Sequence, residues 1–170
     1  MGKVSKVTRN VTKNIFLNTL ACHTLGWLMR VKEVKRPSPP TLGEIFRMEQ
    51  GRDIETRARS LYPDGLAVED TNLNLAHKKT LSAIKNHKVS AIFGATFLVD
   101  SFVTKADILQ RVRGGWSLNE VKSSVVDKPE FIDDMAYTAM VAEKCGLKIS
   151  GLSLILVSKD FRLGMENSSL

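Results

Sequence analysis

Lys105-Ala106-Asp107-Ile108-Leu109-Gln110-Arg111-Val112-Arg113-Gly114-Gly115-Trp116-Ser117-Leu118-Asn119-Glu120-Val121-Lys122 is the stretch that decides the fold. Phe102 to Gln110 reads as one strand and Trp116 to Ser124 as the next, with Gly114-Gly115 supplying the positive-φ residues of a hairpin between them. Side chains alternate with period two along a strand, so Glu120 and Lys122 share one face while Val121 faces the other way. A hairpin turning at the glycine pair brings Asp107 beside Glu120. The apolar residues Ala106, Ile108 and Leu109 around the aspartate, with Val121 and the run Ser123-Ser124-Val125-Val126, predict a buried central pair of strands. Charge is costly there without a purpose.

Upstream, Val89, Ala91, Phe93, Ala95 and Phe97 predict a strand with one apolar face, joined to the next by a turn at Asp100-Ser101. Before it, helical spacing predicts a first helix from Thr12 to about Arg30, with Ile15, Leu20, Trp27 and Leu28 on its core face. Pro37-Ser38-Pro39-Pro40 stops it. Thr41 and Glu44 form a capping box that opens a second helix to about Ser60, closed by Tyr62-Pro63-Asp64-Gly65. A short unassigned segment precedes a third helix over about Leu75 to Asn86. Downstream, Pro129 starts a helix that runs through Met135, Met140 and Val141 and ends before Gly146; Leu152 to Val157 predicts a buried final strand.

The 170 residues are 43% hydrophobic and 25% charged, ordinary for one globular domain. No apolar run approaches the roughly 20 residues of a membrane-spanning helix. Cys22 and Cys145 are too few for a zinc ribbon, an iron–sulfur cluster or a disulfide scaffold, so the expected compartment is reducing and intracellular, cytoplasmic or nucleoid-associated. Residues 1–36 hold Lys3, Lys6, Arg9, Lys13, Arg30, Lys32, Lys35 and Arg36 against Glu33 alone, which accounts for the whole net charge of +7. That segment reads as a polyanion-binding surface, as a solvated tail, or as a mitochondrial presequence.

Two carboxylates converging on one spot repel each other unless a proton or cation neutralises them, so Asp107 and Glu120 read as a hard-metal site. Mg²⁺ (or Mn²⁺) suits it, because Mg²⁺ takes one or two carboxylates and completes its octahedron with water and phosphate oxygens. Lys122 then stands beside the ion, placed to orient an attacking water. The plainer reading of the same residues is a solvated strand face with a cross-strand ion pair. His23, His77 and His87 lack metal-ligand spacing, and Cys22 reads as a small core residue.

These residues resemble the RecB-like branch of the PD-(D/E)XK nucleases. Gly115-Trp116-Ser117-Leu118-Asn119-Glu120-Val121-Lys122-Ser123-Ser124 is similar to the family's Glu-x-Lys strand, and Lys105-Ala106-Asp107-Ile108-Leu109 to its aspartate motif. Gly51-Arg52-Asp53-Ile54-Glu55 resembles its Gly-x-x-x-His/Glu helix motif, and Asp133-Asp134-Met135-Ala136-Tyr137 the start of its late helix. The segment from Thr12 to Leu28 is similar to the opening of cluster-free relatives of the CRISPR-adaptation iron–sulfur nucleases. The resemblance spans about Thr12 to Phe161. It departs from the pattern at Thr138 and Ala142, where the late-helix glutamine and tyrosine are expected.

The resemblance implies an α/β fold with a restriction-endonuclease-like core, a mixed sheet in αβββαβ order flanked by additional N-terminal helices, in a single domain over residues 1–170. It implies a Mg²⁺-dependent deoxyribonuclease with Asp107, Glu120 and Lys122 catalytic, and Glu55, Asp107, Glu120 and the Val121 carbonyl as ligands of the ion. Lys3, Lys6, Arg9, Lys13, Arg52 and Tyr137 are the expected nucleic-acid contacts. DNA is the expected partner, alone or with a helicase, in repair or defence. The rival reading is a nucleic-acid-binding module, or a subunit of a larger assembly, that does not cleave.

Overall fold

The computed structural model describes residues 9–31 and 39–162. Over these residues the protein is α/β, with a five-stranded mixed sheet and five helices. Ahead of the sheet come α1 (Lys13–Ala21), α2 (His23–Val31) and α3 (Leu42–Arg59). There follow β1 (Leu66–Ala67), α4 (Leu73–Lys85), β2 (Ala91–Val99), β3 (Phe102–Val112), β4 (Gly115–Lys122), α5 (Pro129–Lys144) and β5 (Ile149–Leu156). The strands lie side by side in chain order, antiparallel from β2 to β4 and parallel at both edges.

Local chemistry sets most of these bounds. The Thr41 side chain accepts from the Glu44 N–H while the Glu44 carboxylate accepts from the Thr41 N–H at 2.7 Å, so the predicted capping box starts α3. Pro129 opens α5, and Gly146 at φ 85° follows its end. The hairpins turn at Asp100 (φ 54°) and Gly114 (φ 89°). The unassigned segment before α4 is β1, pairing parallel with Ile92 and Phe93.

Four expectations are corrected. The helix predicted from Thr12 to Arg30 is two helices, because Cys22 takes an extended conformation (φ −157°) and breaks it. Cys22 is exposed, not core, and Trp27 and Leu20 are about half exposed while Ile15 is buried. The last strand begins at Ile149 and forms a sheet edge, so Leu152 is 48% exposed rather than buried.

The fourth concerns β2. Ala91 and Phe93 pack with Ala58 of α3 and with Ile108, whereas Ala95 and Phe97 join Ile92 on the opposite face. Gly94 at φ 65° reverses the alternation between them. A Cβ there would stand 2.5 Å from Lys105 Cε and 2.9 Å from the Val68 carbonyl, so only glycine fits. The larger core lies on that opposite face, where Leu109, Trp116 and Leu118 meet Ala76 and Ala83 of α4 and Tyr137, Val141 and Ala142 of α5.

Candidate metal centre

Asp107 sits where both of its ladders are interrupted. Pairing of β2 with β3 runs Phe93 to Ile108 and resumes at Ala95 to Ala106, passing over Asp107. Pairing of β3 with β4 ends at Ile108 and Asn119, one step before Asp107 would face Glu120. The aspartate side chain takes over there, its Oδ2 accepting the Val121 N–H at 2.9 Å. Interruptions of this kind re-aim side chains, and a buried N–H freed from the ladder needs another acceptor.

Glu120 is 2% exposed, and Lys122 Nζ donates to its Oε1 at 2.8 Å, as their shared strand face implies. The other partners of this pair come from remote parts of the chain. Lys13, the first residue of α1, donates to both Glu120 oxygens, at 3.0 and 3.2 Å. Asp134 of α5, 5% exposed, has Lys13 Nζ 2.7 Å from Oδ1 and accepts from Lys122 at Oδ2. Two ammoniums thus bridge two buried carboxylates.

The charges respond accordingly. Burial opposes the charge on Lys13 and on Lys122, but Glu120 and Asp134 more than offset it and raise both pKa values. Burial likewise works against the Asp134 carboxylate, yet the attraction of Lys13 and the Lys122 hydrogen bond hold it below the usual range. For Asp107 the compensation is outweighed. Burial, then the neighbouring charge of Glu120, push its carboxyl to about 7, with Glu55 adding to the effect and the Val121 N–H and Lys13 opposing it.

The structure therefore brings Asp107, Glu120, Lys122 and Val121 together. Glu55 is near enough for Asp107 to feel its charge, but its Oε1 is held 2.6 Å from Arg59 Nη2 along α3. Lys13 belongs to this cluster rather than to an open phosphate-binding surface. Tyr137 is corrected outright: it is 1% exposed, stacks on Phe16 and donates its hydroxyl to the carbonyls of Val11 and Val103, so it cannot reach a nucleic acid. Thr138 is buried too and bonds to Thr104. Arg52 and Arg9 are exposed, whereas Lys3 and Lys6 lie outside the described residues.

Asp134 is the member that sequence reasoning missed. Its signal is an acidic residue on the stripe Asp134, Tyr137, Thr138, Val141, which follows helical spacing and is buried throughout. An acid on a core-facing stripe calls for a buried partner.

Among the described residues no three His, Cys, Asp or Glu side chains gather as a ready-made metal cage. Asp107 and Glu120 still suit Mg²⁺, which takes as few as one or two carboxylates with water. No helix among the described residues is long and apolar enough to cross a membrane. Comparison of the chain with protein-family models, curated proteins and solved structures finds no match.

Proposed function

We propose that this chain is a Mg²⁺-dependent nuclease acting on DNA, built on a restriction-endonuclease-like core of the RecB-like PD-(D/E)XK kind. The observation that carries the reading is Asp107 set against Glu120 at the point where the β3–β4 ladder opens, with Lys122 bonded to Glu120. The order α4, β2, β3, β4, α5, β5 agrees with the αβββαβ core that the sequence motifs imply.

In this reading Asp107 and Glu120 hold the ion, with Glu55 and the Val121 carbonyl at its periphery. When bound, Mg²⁺ supplies charge stabilisation at the scissile phosphate and a lowered pKa for a coordinated water. Asp107 is kept in place by the Val121 N–H, so the donor pair is rigid on its strand. Lys122 has its ammonium oriented by Glu120 and Asp134; from there it steers a water toward phosphorus and stabilises developing negative charge. A non-cleaving nucleic-acid module is the second reading, favoured by one feature: both ammoniums already neutralise Glu120 and Asp134.

The test is incubation of labelled single- and double-stranded DNA with the wild-type chain in Mg²⁺, Mn²⁺ or EDTA, beside Asp107→Ala and Glu120→Gln. Glutamine is chosen because it keeps the shape of the side chain and an oxygen that can still accept from the two ammoniums, which also retain Asp134. Metal-dependent cleavage should vanish in both variants with circular dichroism unchanged. Equal cleavage by wild type and Asp107→Ala would overturn the mechanism, and DNA binding without cleavage under either metal would favour the second reading.

A further inference from the structure

Lys13 lies 107 positions before Glu120 in the chain, yet its ammonium spans both oxygens of that carboxylate. The backbone that delivers it is pinned on three sides. Val11 N–H donates to the Ser101 carbonyl at 2.7 Å, the Val11 carbonyl accepts from the Val103 N–H at 2.9 Å and from the Tyr137 hydroxyl, and Thr12 caps α1. Such anchoring aims one particular side chain at the site. An exposed tail lysine would need none of it.

The position taken by the ammonium matters because of what else must come there. A Mg²⁺ ion needs a carboxylate oxygen at about 2.0–2.1 Å, and each ammonium hydrogen bond takes one of the lone pairs that the ion could use. A dication brought within about 4 Å of Lys13 is also repelled by several kcal/mol at the effective dielectric of a protein surface. Both ammoniums also pair with Asp134, but Lys122 is carried on the strand of Glu120 itself, whereas Lys13 reaches it from the start of α1. Lys13 also borders a cleft of about 370 Å³ lined by Thr12, Asp70, Thr96, Thr104 and Lys105. Its side chain is 24% exposed and its four-carbon stem is flexible.

We infer that Lys13 is a tethered counter-cation of Glu120: it competes with the divalent ion for that carboxylate, sets the affinity of the site for metal, and swings toward the Thr104–Lys105 cleft when the ion enters. The inference rests on Asp107 and Glu120 being a metal site and adds an internal competitor to it. Removing the competing charge while keeping the stem, as in Lys13→Met, should tighten metal binding; Lys13→Arg, which keeps the charge, should not.

The experiment measures binding of Mn²⁺ to the full chain without DNA, by electron paramagnetic resonance and calorimetry. Lys13→Met should bind at least about tenfold more tightly than wild type, given the size of the repulsion removed. Equal or weaker binding by Lys13→Met overturns the competitor role and leaves the metal site standing. No Mn²⁺ binding by wild type or variant overturns the metal site itself, and the competitor with it. A second measurement uses wild type alone, so that a poorly folded variant cannot decide the matter. Amine acylation followed by mass spectrometry should label Lys13 several-fold faster in saturating Mn²⁺ than in EDTA, relative to Lys88 on the surface. Unchanged relative labelling under saturating Mn²⁺ also overturns the proposal.

Discussion

Asp107 shows how much one residue's surroundings determine its behaviour. Its carboxyl is raised from 3.8 to about 7 in the folded chain, so between those values the native state holds a proton that the unfolded state has lost. The stability this contributes is complete below about pH 4 and disappears as pH rises through 7. Asp134 works in the opposite sense, losing its contribution only as pH falls below the ordinary carboxyl range, while Lys13 and Lys122 lose theirs only in alkali. In EDTA the melting temperature should therefore decline from pH 5 to pH 8, and Asp107→Asn should flatten that decline and melt higher than wild type at pH 8. Thermal circular dichroism across that range settles it; an Asp107→Asn protein that melts lower at pH 8 would show that the carboxylate is stabilised rather than strained. That Asp107 comes near Glu120 was legible because a hairpin turn at Gly114 fixes the register as far as Ile108 and Asn119, one step short of the two carboxylates. The approach of Lys13 was not, since no local pattern links residues 107 apart.

At the scale of elements, the deviations from simple periodicity mark where the site is made. Strict alternation along β2 would put Phe93 and Ala95 on one face, and it fails at Gly94, directly across the sheet from the interruption at Asp107. A glycine in a strand pattern signals a bulge or a close approach, but its φ cannot be read from sequence alone. Gly94→Ala should cost about 1–3 kcal/mol through backbone strain, together with the clash against Lys105 and Val68. Urea denaturation would measure it, and a loss under about 0.5 kcal/mol would mean that the strand relaxes without penalty. The capping box and the Pro129 start were read correctly because each depends on a few contiguous residues. The break at Cys22 was not, because it is imposed where α2 folds back to press Gly26 against Thr19, and a tertiary contact overrides helical spacing.

For the whole molecule, the question is where the net charge acts. All of the +7 belongs to residues 1–36, but Lys13 directs its charge to Glu120 and Asp134 rather than to the surface. Arg30 is also engaged, donating to Ser101 Oγ at 3.0 Å. The nuclease reading assigns the phosphate backbone to the other basic residues of the segment. Each duplex phosphate that the protein ceases to neutralise should flatten the log–log salt dependence of binding by roughly 0.9. The triple substitution of Lys3, Lys6 and Arg9 by glutamine should thus lower the slope by up to about 2.7. Lys13→Met should leave it unchanged in EDTA, where its ammonium stays on Glu120. Fluorescence anisotropy with a labelled duplex between about 50 and 200 mM salt covers the range in which such slopes are read. If the triple variant keeps the wild-type slope, the segment does not track DNA; if Lys13→Met alone flattens it, the ammonium is free enough to reach a phosphate without metal, and the ion pair with Glu120 is weaker than its geometry indicates.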